Sequence, residues 1–160
     1  QNLSTLLSCR GTQPSSTNRV FINGGTTSEK EALKQLSSIF LIDAMTQQWD
    51  RFSGGNLQTV THRDGIVQFV SYDNGGTWGG PSYTQKYLSL VSRFDREVAQ
   101  KILQLDDFFQ KQSTYMGLSN DQQMIEALDL EAFSSAYQKI KSGTAAVAQH
   151  IRANPNCFFE

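Results

Sequence analysis

Two adjoining stretches decide the fold: "EALKQLSSIFLIDAMTQQWDRF", Glu31–Phe52, and "LQTVTHRDGIVQFVSY", Leu57–Tyr72. In the first, Leu33, Leu36, Phe40 and Ala44 recur at helical spacing and share one face. Ser28, three residues before Glu31, supplies a capping-box start and Gly54-Gly55 a stop, so the pattern predicts a helix over 28–53. The run "IFLI" at 39–42 is apolar around a full turn, which suits a helix packed on more than one side. In the second stretch the apolar period falls to two, the residues are β-branched and aromatic, and Arg63-Asp64-Gly65 interrupts them as a turn. A helix followed by a hairpin and then by more helical pattern predicts an α+β class. The chain reads as predominantly helical, with three to four amphipathic helices and a small antiparallel β-hairpin or meander inserted between helices 1 and 2.

Working outward, Pro81-Ser82 with Gln85 opens a second helix whose stripe is Tyr87, Val91, Phe94, Val98, Ile102, Leu105 and Phe109. Unbroken to Tyr115, it would be about 50 Å long, so it either breaks near Asp106-Asp107 or elongates the molecule. Gly117 ends it, and Ser119 with Gln122 starts a further helix carrying Ile125, Leu128, Phe133, Tyr137 and Ile140. "SGT" at 142–144 interrupts that pattern, and "AAVAQHIRA" forms a short last helix stopped by Pro155, so the helical region spans 82–153. Upstream, residues 1–26 read as an irregular arm, with a short strand at "RVFIN" before the turn signal Asn23-Gly24-Gly25. Residues 1–160 suit a single domain with one core, closed by a tail over 154–160.

The two cysteines, Cys9 and Cys157, lie near opposite ends. Paired, they tie the tail to the arm and close a loop of nearly the whole chain, worth roughly 5 kcal/mol of denatured-state entropy. Such a bond persists in an oxidising compartment, which points to a secreted or periplasmic location; two buried free thiols in a cytosolic protein is the alternative. The uncharged polar composition agrees with the first. A start at Gln1 rather than Met suggests that a leader was removed or the end trimmed, and "NLS" at Asn2 has the pattern of a glycosylation acceptor. With 14 basic and 15 acidic residues the net charge is -1, too little to draw nucleic acid or an anionic membrane. No apolar run reaches the roughly eighteen residues of a membrane span.

After the hairpin, "SYDNGGTW" has Ser71, Asp73, Gly75, Thr77 and Trp78 at the fixed positions of Ser-x-Asp-x-Gly-x-Thr-Trp. It thereby resembles the Asp-box of sialidases and related β-propellers. That resemblance implies a self-bonded hairpin turn within 57–79. Asp73 would accept backbone N–H bonds, Gly75 and Gly76 would supply positive φ, Ser71 and Thr77 would face each other, and Trp78 would cover the turn. Sialidase activity is not implied, since the chain has no propeller repeats. Tyr72, Trp78 and Tyr83 form a candidate binding rim, able to stack on a sugar or a partner's ring. Farther on, "QLDDFF" and "ALDLEAFSSAY" are similar to the helical tail of a peptidoglycan N-acetylmuramidase family in the spacing of Leu105, Phe108, Leu128, Phe133 and Tyr137. Where that family places an acid glutamate, "WDRFSGG" offers only Asp50.

Asp43 and Asp50, seven apart on the first helix, would share a face at about 10 Å, as solvated surface or with Asp43 partly buried beside "IFLI" and in need of a partner. His62 and His150 have no ligand-spaced companions, and the Gly pairs do not follow a buried strand into a helix. No catalytic residue, metal or cofactor is therefore expected. The leading expectation is a non-catalytic binding or assembly subunit acting through protein–protein contacts or self-assembly, motivated by the long amphipathic second helix. The alternative is a glycan-directed protein, either carbohydrate-binding or a divergent muramidase-like hydrolase.

Overall fold

A computed structural model describes residues 2–111 and 131–160 of the chain. In order come α1 (Leu3–Leu6), β1 (Arg19–Ile22), β2 (Gly25–Ser28), α2 (Glu29–Thr46), β3 (Leu57–Thr61) and β4 (Val67–Ser71), then α3 (Pro81–Leu90), α4 (Arg96–Lys111) and α5 (Glu131–Ala153). The fold is α+β and mostly helical, with the β3–β4 hairpin between α2 and α3, as the change of period predicts. Helix α2 is the central element and packs against α3, α5 and both hairpins. Its Leu33, Phe40, Leu41 and Met45 join Tyr87, Val91, Phe94, Val147 and Ile151 in one core. Of the "IFLI" turn, Phe40 and Leu41 are buried while Ile42 is exposed. At the start of α2 the Ser28 hydroxyl accepts the Glu31 N–H at 3.1 Å, which is half of the expected capping box.

Each hairpin is a separate two-stranded sheet. In β3–β4, Leu57 pairs with Ser71 and Thr61 with Val67, and the turn contains Gly65 at φ 79°. In β1–β2 the turn is made by Asn23 (φ 49°) and Gly24 (φ 78°). The two tips meet where Thr26 N–H donates to the Gly65 carbonyl at 2.9 Å. No third strand extends the insert among the described residues, because the chain leaves the sheet after Ser71. The arm is also more ordered than its composition predicts. Asn2 caps α1 by accepting the Thr5 N–H, and Leu7 is fully buried.

Three predicted boundaries are corrected by tertiary contacts. Helix α2 ends at Thr46 rather than near 53, because Gln47 adopts φ 54°, ψ 43° and the Gln48 N–H turns back to the Asp43 carbonyl. The long second helix breaks at 91–95, not at Asp106-Asp107. There Ser92 and Arg93 N–H both donate to Leu7 O, Phe94 N–H donates to Cys157 O, and Asp95 caps α4 through the Glu97 N–H at 2.8 Å. Asp106 instead stays helical and buried, held by Arg152 of α5 at 2.8 Å. The "SGT" at 142–144 does not interrupt α5, since Gly143 packs directly on the backbone of α2. A Cβ there would stand 1.9 Å from the Met45 carbonyl oxygen. Gly117, Ser119, Gln122, Ile125 and Leu128, with the side chain of Phe133, lie outside the described residues.

Cys9 and Cys157 form a disulfide, 148 residues apart in sequence and 5.3 Å between Cα atoms, which ties the tail to the arm. Buried Arg93 reinforces this junction by donating to the carbonyls of Thr12 (2.7 Å) and Gly11. No helix among the described residues is long and apolar enough to cross a membrane.

Candidate functional site at the C-terminal end of α2

The turn after α2 sorts its side chains by direction. Gln48 and Arg51 point inward and are buried, whereas Trp49 and Phe52 point outward and are each 52 % exposed. Arg51 is 1 % exposed and meets Asp43 in a two-pronged ion pair, Nε to Oδ2 at 2.8 Å and Nη2 to Oδ1 at 2.9 Å. Its remaining donors reach the carbonyls of Asn56 (2.6 Å) and Tyr72 (2.9 Å) and the Asn74 side-chain oxygen (2.7 Å). All five N–H groups of the guanidinium are thereby used. Burial pushes the Asp43 carboxyl up from its ordinary value against the two bonds from Arg51, and the bond to Asp43 pushes Arg51 up. The partner that a buried Asp43 requires is Arg51. Asp50 is not on the helix at all, so the expected Asp43/Asp50 face does not exist. The Asp50 backbone carbonyl and carboxylate accept instead from Asn56.

The "SYDNGGTW" stretch is not a hairpin turn; the β3–β4 turn lies at 62–66. It is a strap across the end of α2. Trp78 N–H donates to Thr46 O at 2.8 Å, Gly79 N–H to Gln47 O at 2.9 Å, and Trp49 N–H to Gly76 O at 2.8 Å, so the strap takes up carbonyls that the helix end leaves open. The positive φ angles fall on Asp73 (44°) and Trp78 (63°), not on Gly75 and Gly76. Gly76 is required for closeness instead, because a Cβ there would lie 2.3 Å from Gln48 Oε1. The Asp73 side chain makes no hydrogen bond among the described residues. The anchoring role that the Asp-box resemblance implies for Asp73 is performed by Arg51 from outside the motif.

Between α2 and the strap lies a cavity of about 250 Å³ lined by Ser38, Ile39, Ile42, Asp43, Thr46, Gln48, Arg51, Ser71, Asn74 and Thr77. Ser71 and Thr77 thus border a cavity. Outside the turn, the aromatic groups adjoin one another. Trp49 and Tyr83 flank Gly79, Lys86 Nζ lies 5.2 Å from the Phe52 ring centre and 5.9 Å from that of Tyr83, and Phe52 stacks on Tyr87 at 6.0 Å. The Tyr87 phenol is pushed up to about 12, by burial first and then by the nearby Asp43 carboxylate, and its hydroxyl has no hydrogen-bond partner.

The predicted rim is thus divided. Tyr83 belongs to the Trp49–Phe52 face, Trp78 is partly buried in the strap, and Tyr72, half-exposed, makes no ring contact with either among the described residues. The residues missed are Trp49, Phe52, Gln48 and Arg51, which were assigned to the helix. The signal that separates them is the inward–outward spacing of "QWDRF". Among the described residues no three His, Cys, Asp or Glu side chains gather as a metal site. Compared with known protein families, curated proteins and solved structures, the chain shows no significant match.

Proposed function

We propose that this chain is a non-catalytic binding or assembly subunit of an extracytoplasmic compartment, and that it engages another protein through the Trp49–Phe52 face. The observation that carries this reading is the exposure of two large aromatic side chains on a turn held from inside by the fully bonded Arg51. Such rings are held out at little entropic cost on association, the character of an interface anchor. Lys86 over Phe52 and Tyr83 adds one cation for a partner carboxylate at the rim. The long amphipathic helix that motivates the sequence reading is two helices, so the assembly surface is placed on this turn instead. The mutual saturation of Asp43 and Arg51 supports a non-catalytic role, since neither is left to exchange a proton. The Cys9–Cys157 bond supports the compartment.

A photo-crosslinking amino acid at position 49, in cells that produce the protein, tests this against one at exposed Gln58. A discrete protein adduct from 49 alone is expected, and Phe52→Ala should abolish it with the fold retained. Equal adducts from both positions would refute the surface. The exposed ring faces also suit stacking on a sugar. Saturable binding on a glycan array, lost in Trp49→Ala, would transfer the surface to the glycan-directed reading.

A further inference from the structure

The triplet Asn2-Leu3-Ser4 has the pattern of a glycosylation acceptor and plays no part in the aromatic face. No other asparagine of the chain is followed two residues later by Ser or Thr. Asn2 is exposed, on extended backbone (φ -81°, ψ 162°) just ahead of α1. Its Oδ1 accepts from the Thr5 N–H (2.9 Å), the Thr5 hydroxyl (2.7 Å) and the Ser4 hydroxyl (2.9 Å). Its Nδ2 makes no hydrogen bond to the described residues. By contrast, the Nδ2 groups of Asn23, Asn56 and Asn154 are spent inside the fold, on Thr59, Asp50 and His150. The Asn2 amide is therefore divided: its oxygen caps α1, and its nitrogen is uncommitted.

We propose that Asn2 carries an N-linked glycan, an inference that rests on the extracytoplasmic reading and is independent of the aromatic face. The donor is a lipid-linked glycosyl diphosphate. The bond from Nδ2 to the sugar's anomeric carbon forms as the bond from that carbon to the diphosphate oxygen breaks; the diphosphate leaves with the electron pair, and one Nδ2 proton passes to the transferase's base. Substitution on Nδ2 leaves all the bonds to Oδ1 in place, so the folded protein accommodates the sugar without losing the cap. The attachment point is also fixed, because fully buried Leu7 and the Cys9–Cys157 bond tie α1 to the body of the molecule. Ser4 and Thr5 border the same surface hollow as Ser89 and Leu90, at the C-terminal end of α3. Trp49 and Tyr83 meet instead at Gly79, before α3 begins. The 10 residues of α3 span about 15 Å, so the glycan is attached at the end of this helix away from the partner face.

Mass spectrometry of the protein recovered from the cells that produce it, digested without reduction, reads the glycan and the compartment together. Trypsin cuts after Arg10 and Arg152, so residues 1–10 carry both Asn2 and Cys9, and residues 153–160 carry Cys157. The expected product is these two peptides joined, with a sugar mass on Asn2 that peptide N-glycosidase removes in ¹⁸O-water to leave a labelled aspartate. Ser4→Ala should lose the glycan completely and Ser4→Thr should retain it. Asn2→Asp keeps an oxygen for the cap, so it should fold normally without the sugar. The adduct at position 49 should be unchanged in Ser4→Ala. Unmodified Asn2 on peptides that are still joined overturns the glycan and leaves the compartment standing. Unmodified Asn2 with both cysteines free overturns both. A sugar that persists on Asn2 in Ser4→Ala refutes the role of the triplet.

Discussion

Replacing Gly143 by alanine is the sharpest test of how α5 sits on α2. The added Cβ would lie 1.9 Å from the Met45 carbonyl oxygen, 2.8 Å from its carbonyl carbon and 3.1 Å from its Cα. All three are backbone atoms, so no rotamer relieves the overlap. Restoring an ordinary separation of about 3.5 Å at the closest atom requires α5 to retreat by about 1.5 Å, and gaps of even 1 Å forfeit up to about half of the dispersion energy of the atoms that line them. Val147, Ala148 and Ile151, all buried on the same helix, would share that loss. Overpacking of this kind costs about 1–3 kcal/mol, and steric opposition from backbone belongs at the upper end. Against it stands the gain of about 1 kcal/mol that alanine brings to an unconstrained helix position. A net loss of about 2 kcal/mol follows, opposite in sign to helix propensity, and at 2–4 °C per kcal/mol it lowers the melting temperature by roughly 4–8 °C. Guanidinium unfolding followed by circular dichroism measures it, with Ser142→Ala on the exposed side as a control expected within about 0.5 kcal/mol of the parent. A Gly143→Ala protein as stable as the parent, or more so, would refute the helix spacing.

Further outcomes follow from the buried polar groups and the covalent closure. Tyr87 holds its proton to about pH 12 in the folded state against about 10 when unfolded. Its contribution to stability is therefore present below pH 10 and is lost as pH rises through that window, by up to about 3 kcal/mol. Tyr87→Phe should abolish this slope and, by removing an unpartnered hydroxyl, raise neutral stability by about 1 kcal/mol. Absorbance at the phenolate band should show a late-titrating member among the 5 tyrosines, and a single transition near pH 10 for all of them would contradict it. Asp43→Asn strands the Arg51 charge and should cost about 3–5 kcal/mol in urea unfolding. Arg51→Lys, which keeps the charge but cannot span the same acceptors, should recover only part of that loss. Reducing Cys9–Cys157 should lower stability by roughly 3–5 kcal/mol, and non-reducing mass spectrometry should find the two cysteine peptides joined.

What was legible in the sequence is local. The capping serine, the Asn23-Gly24 and Arg63-Asp64-Gly65 turns, the change of period at Leu57 and the proline opening α3 each state their structure through neighbours a few residues away. The paired cysteines were legible because there are only two. What was not legible depends on distant partners. Helix α2 has the residues to continue to Phe52, and stops because Arg51 gains more from Asp43, Asn56, Tyr72 and Asn74 than from another helical turn. The stripe from Tyr87 to Phe109 is helical in spacing throughout. Only the docking of Leu7 and Cys157 against its middle converts 91–95 to extended chain. Gly143 looks like an interruption in one dimension and acts as a contact in three. At the candidate site the same limit applies: turn residues drew attention to Ser71–Trp78, while the groups that give the region its chemistry, Gln48 and Arg51, come from the other side of the gap.

The disulfide also determines how the molecule bears force. Any load carried by the chain on either side of Cys9 and Cys157 passes from one sulfur to the other and bypasses the loop between them, whose ends are 148 positions apart in sequence. Helices α2 to α5 and both hairpins are thus mechanically idle under tension applied at the ends. A puller would see a short inextensible link while the bond is oxidised, and nearly the full contour of the fold once it is reduced. A redox change at one covalent bond therefore sets whether an attached partner feels a rigid tether or an unfolding domain.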